Sequence, residues 1–69
     1  MKIRILKDIL VEVEKIRLQE TWDKQLRRWD ELNVESIHPS LQPNYSDFTT
    51  QEGDTIVYVP DEAFEVLGS

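Results

Sequence analysis

No cysteine occurs among the 69 residues of this chain, and that absence limits what it can fold into. A domain this small buries only about 60% of the surface its unfolded form exposes. Disulfides and thiolate-bound metals are the usual supplements at such a size. The chain must therefore hold together by packing alone or with a second subunit. Its apolar content of 39% and charged content of 32% are those of a folded soluble domain rather than a disordered segment, and the length allows one domain over residues 1–69.

Charge is distributed unevenly along the sequence. All eight Lys and Arg lie between Lys2 and Arg28, where they meet five acids; from Trp29 onward there are nine acids and no base. The net charge of −6 opposes adhesion to phosphate backbones and to anionic membrane surfaces. Charges at Lys2, Arg4, Lys7 and Asp8 interrupt every apolar stretch near Met1, so neither a signal peptide nor a membrane span is expected and the chain is assigned to the cytoplasm.

Apolar spacing divides the chain into elements. Six of the eight apolar residues in Ile3–Ile16 are β-branched, and Ile9, Val11 and Val13 alternate with Leu10, Glu12 and Glu14. This predicts two strands, or one bent strand, with the bend at Lys7 and Asp8. From Leu18 the period changes: Leu18, Trp22, Leu26, Trp29 and Leu32 recur at steps of three and four, which predicts an amphipathic helix from about Glu20 to Trp29. Further strands are predicted at Val34–Ile37 and Thr55–Val59. The stretch Tyr45–Thr50 is joined to the second of these through a turn at Glu52, Gly53 and Asp54. Pro60 ends the last strand, and Asp61 caps a single helical turn.

Two runs carry a resemblance. LRRWDELNVESI, from Leu26 to Ile37, resembles the diverging turn and following strand of SH3-like barrels. DTIVYVPDEAFEVL, from Asp54 to Leu67, is similar to the strand, proline, helical turn and closing strand that finish such barrels. The resemblance implies a mainly β, SH3-like small barrel of about five strands, with the Glu20–Trp29 helix as an insertion in its first long loop. It does not imply binding of proline-rich peptides. The opening strand lacks aromatics, no tryptophan follows Ile37, and Ala63 stands where such domains place a tyrosine.

The residues offer little for catalysis or metal binding. His38 is the only histidine and precedes a proline in an expected loop, where an acid-base catalyst would lack a placed partner. One imidazole without thiolates is a poor zinc set. Glu52, Asp54, Asp61 and Glu62 do not follow calcium-loop spacing, and two glycines cannot form a phosphate-binding loop. No enzyme activity, cofactor or metal is expected.

The expected core is Ile5, Ile9, Val11, Val13, Leu26, Leu32, Val34, Ile56, Tyr58, Phe64 and Val66, with Trp22 and Trp29 sealing the helix onto it. The expected function is non-catalytic interaction with another protein, by a monomer or homodimer. Two surfaces are candidates: a groove around Tyr45, Phe48, Pro60 and Phe64, and a basic helix face of Lys24, Arg27 and Arg28. An alternative is an acidic inhibitor that mimics nucleic acid and occupies a partner's cationic groove, using the base-free stretch that includes Asp47, Glu52 and Asp54. A third reading makes Ile3–Leu32 one continuous helix that dimerises.

Overall fold

The computed structural model describes residues 1–68. Seven strands form one antiparallel sheet: β1 (Lys2–Ile5), β2 (Ile9–Lys15), β3 (Glu20–Leu26), β4 (Glu31–Pro39), β5 (Tyr45–Thr50), β6 (Thr55–Pro60) and β7 (Phe64–Gly68). Their spatial order is β3-β2-β6-β5-β4-β1-β7. Two 3₁₀ turns, Ile16–Leu18 and Asp61–Ala63, are the only helical elements among the described residues.

These elements correct the sequence reading in three respects. The sheet is open, with β3 and β7 as unpaired outer edges, so it is not the closed SH3-like barrel. It has seven strands where about five were expected. No helix occupies Glu20–Trp29, and the one helical element within Ile3–Leu32 is the 3₁₀ turn Ile16–Leu18. The tryptophan-bearing stretch is instead strand β3 followed by a turn, and β3 pairs with β2 from Ile9↔Leu26 to Lys15↔Glu20.

Pairing explains why the strand wins. Trp22 and Leu26 fit a helical stripe, but in a strand they also share one face with Glu20 and Lys24, and a seven-residue ladder against β2 pairs the backbone groups that β3 turns toward it. The open edge has a related cause. Residues directly opposite one another share a face, so the core-side face of β3 carries Glu20, Trp22, Lys24 and Leu26, of which only Leu26 is buried. Two charged side chains on that face keep water beside it and give the edge no apolar reason to close.

Six strands contribute to one apolar cluster: Ile3 and Ile5 from β1, Val11 and Val13 from β2, Leu26 from β3, Val34 from β4, Phe48 from β5, and Ile56 and Val59 from β6. Ile9, Leu32, Ile37 and Phe64 pack against it half-buried. With no helical layer to cover it, this face is enclosed by the sheet bending over itself, and displaced registers help the strands bend. Registers shift between Val34 and Ser36 on β4, and between Lys2 and Ile3 on β1. On β6, Phe48↔Ile56 and Ser46↔Val59 leave one extra residue.

The β6 bulge corrects the core list. Tyr58 adopts φ 58°, the strand's inward and outward phase is reset there, and Ile56, Val57 and Val59 are buried while Tyr58 is exposed. Val66, on the edge strand β7, is exposed, as are Trp22 and Trp29. Trp29 sits at φ 75° in the Arg27–Asp30 turn, which is far from a helical conformation.

Candidate functional site

The expected aromatic groove is mostly core. Phe48 is fully buried, and its ring meets that of Phe64 edge to face, with centroids 4.8 Å apart and planes at 85°. Tyr45 and Pro60 are directly opposite on β5 and β6 and half-buried. They line a shallow depression with Asn44, Asp61 and Glu62. Its rim is acidic and tied down: Ser46 Oγ donates to Asp61 Oδ1 at 2.6 Å, and Lys7 Nζ donates to Glu62 Oε1 at 2.8 Å. That hydrogen bond, with the ammonium charge behind it, holds the Glu62 carboxyl below its usual range.

The three basic candidates are exposed but share no helix face, because the helix is absent. Lys24 lies on the core-side face of β3, opposite Val11. Arg27 and Arg28 belong to the turn after β3. Asp30 Oδ2 accepts the Arg27 backbone N–H at 2.9 Å, and Asp8 Oδ1 accepts that of Arg28 at 2.7 Å. The Arg28 guanidinium stacks 4.7 Å from the centre of a Trp29 ring, an exposed cation–π contact.

The charge gradient along the sequence is interleaved in space. The ion pairs are Lys2–Glu31, Arg4–Glu31, Arg4–Glu65, Lys7–Glu62 and Lys15–Asp54. Each joins a base from the first 28 residues to an acid beyond them. Among the described residues, the side chains of Arg17, Lys24, Arg27 and Arg28 take part in no ion pair.

His38 stands in β4 rather than in a loop. Ser36 Oγ and His38 Nε2 are 2.8 Å apart on one exposed face, a hydroxyl–imidazole contact that resembles two members of a nucleophilic triad. The carboxylate opposite His38 in register is Asp47. Its Oδ1 accepts the Tyr58 backbone N–H at 3.1 Å, and no hydrogen bond joins it to the imidazole. The pair thus lacks the orienting third group that such chemistry uses, and it lies on an open strand face. Among the described residues, no group of three or more His, Asp or Glu is placed to hold a metal ion.

A further concavity lies at the open side of the sheet, away from the expected aromatic groove, and brings Lys24 of the basic set together with Glu52 and Asp54 of the acidic one. A cleft of about 320 Å³ runs between the core-side face of β3, the start of β4 and the β5–β6 hairpin. Val13 and Ile56 form its apolar floor, Trp22 and Lys24 its β3 wall, and Glu31, Asn33 and Glu52 its polar rim. Trp22 is 39% exposed, placed opposite Val13 by the β2–β3 register. The hairpin rim is fixed by Gly53, whose φ of 89° favours glycine. It is held by N–H donation from Thr50 to the Asp54 carbonyl at 2.9 Å. Asp54 Oδ1 is buried without a hydrogen bond and faces Lys15 Nζ at 3.6 Å, an electrostatic contact only. No apolar alternation marks Glu20–Leu26 in the sequence, so only the pairing with β2 brings Trp22 and Lys24 to this site.

No helix among the described residues is long and apolar enough to cross a membrane. Comparisons with protein-family models, with curated proteins and with solved structures find no match to this chain.

Proposed function

We propose that this chain is a non-catalytic protein-interaction domain of the cytoplasm, and that it receives an extended segment of a partner along the free edge of β3. One observation carries the reading: β3 is a seven-residue edge strand, exposed at every position except Leu26, and it presents Trp22 at the mouth of an apolar-floored cleft. An unpaired edge offers a row of N–H and C=O groups that an incoming strand can satisfy. Main-chain pairing of this kind supplies affinity, and a neighbouring pocket for alternate side chains supplies selectivity. Tryptophan is among the commonest interface anchors because it contributes a large area at low entropic cost.

The non-catalytic part of the reading is supported by the incomplete Ser36–His38 pair. The test is affinity capture at low and moderate salt with the native chain and with Trp22→Ala. A partner bound along β3 stays with the native chain at moderate salt and binds Trp22→Ala about thirtyfold more weakly. Capture that is unaffected by Trp22→Ala but abolished by Tyr45→Ala would move the interaction to the β5–β6 depression and refute the assignment.

A further inference from the structure

We propose that the strand received by β3 is β3 of a second copy, paired antiparallel about a two-fold axis through Trp22. The inference rests on the strand-acceptor reading above and names its occupant.

The argument starts from symmetry. For two sheets to join with their core-side faces on the same side, the axis must be normal to the sheet and opposite residues must share a face. The axis then passes midway between the two copies of one residue. With Trp22 as that residue, Glu20 of one protomer lies opposite Lys24 of its partner, and the same pair recurs on the other side of the axis. On the reverse face, Thr21 lies opposite Asp23, a hydroxyl beside a carboxylate. An axis through Asp23 sets two carboxylates face to face, and one through Lys24 sets two ammonium groups together.

The monomer leaves these charges available. Neither Glu20 nor Lys24 takes part in any ion pair among the described residues. Lys15, the base opposite Glu20 in the β2–β3 ladder, directs its ammonium to Asp54. A lysine on an edge strand ordinarily discourages sheet extension, whereas here a glutamate two residues beyond the tryptophan neutralises it. No proline or bulge interrupts β3, so the edge keeps the regular form that pairing requires. The two Trp22 rings meet on the axis as a cross-strand aromatic pair, a favourable arrangement in antiparallel sheets.

The test is sedimentation equilibrium of the intact chain from about 10 µM to 1 mM, a range that resolves weak self-association. The expected result is a mass rising from 8.2 kDa toward twice that value. Lys24→Glu places carboxylates opposite each other at both symmetric pairs, and Glu20→Lys does the same with ammonium groups. Each variant should dissociate about a hundredfold more readily, tenfold for each pair. Both substitutions are at exposed positions, and far-UV circular dichroism of each variant checks that it is folded.

The deciding experiment mixes the two variants. Their charges are complementary across the proposed register, so equimolar Lys24→Glu and Glu20→Lys should recover the dimeric mass that neither shows alone. Mixing without recovery overturns the register, and so does a dimer that persists unchanged in either single variant. A native chain that stays monomeric to about 1 mM overturns the second copy as occupant. In that case the strand-acceptor reading still stands or falls on the Trp22→Ala capture experiment, so the two failures are distinguishable.

Discussion

Phe48 separates a core residue from a binding residue by a measurable free energy. Its side chain is the largest of those fully buried, it faces the common apolar cluster, and it meets Phe64 edge to face. Truncating such a ring to alanine costs about 3 to 5 kcal/mol. A chain of this length has a total stability of roughly 3 to 10 kcal/mol, so Phe48→Ala is expected to lose about a third or more of it and to unfold outright if the total lies at the low end. Phe48→Leu is the more informative variant. It loses about 1 kcal/mol of packing and about 1 kcal/mol of ring–ring contact, or about 2 kcal/mol together. For a domain of this size the thermal midpoint should then fall by about 8 to 16 °C. Tyr45→Leu, at a half-buried position opposite Pro60, should cost less than about 1 kcal/mol. Far-UV ellipticity followed through thermal and urea unfolding measures all three. A Phe48→Ala protein that remains folded with a near-native midpoint would refute the placement of this ring in the core.

Two further outcomes are expected. At Tyr58, whose φ is 58°, Tyr58→Gly should be more stable than Tyr58→Ala by about 1 kcal/mol, the reverse of an ordinary strand position. Urea midpoints decide it, and a more stable alanine variant would refute the bulge. Lys7→Gln should return the lowered Glu62 pKa to the usual carboxylate range, measured by NMR titration of the side-chain carboxyl carbon. Because folding depresses this pKa, the stabilising contribution is present above the unfolded value and is lost as pH falls through the folded one. An unchanged titration in Lys7→Gln would remove the Lys7 ammonium as the cause.

Local chemistry was legible where a strand's own residues determine it. The bend at Lys7 and Asp8 separates β1 from β2, Gly53 makes the turn between β5 and β6, and Pro60 leads into the Asp61–Ala63 turn. What the sequence could not show is which strand a segment meets. Leu18, Trp22, Leu26, Trp29 and Leu32 satisfy a helical stripe, and only the ladder to β2 makes a strand of Glu20–Leu26. Similarly, Thr55–Val59 reads as a strand from its β-branched and aromatic run, but the extra residue opposite β5 turns Tyr58 outward and buries Val57. Phe48 reads as a groove aromatic in the sequence because its contact with Phe64 joins positions 16 residues apart. The cleft beside Trp22 follows from the same pairing and was hidden for the same reason.

β1 lies between β4 and β7, with Lys2 opposite both Asn33 and Gly68. The opening strand therefore finds its neighbours 31 and 66 positions further along. Closing loops of that length loses chain entropy before any contact compensates, and topologies dominated by distant pairings fold in milliseconds to seconds rather than microseconds. While β7 is still being made, β1 has an unsatisfied edge, and Ile3 and Ile5 lack their last neighbour. Nascent chains would thus be most vulnerable to misassociation just before the final strand docks.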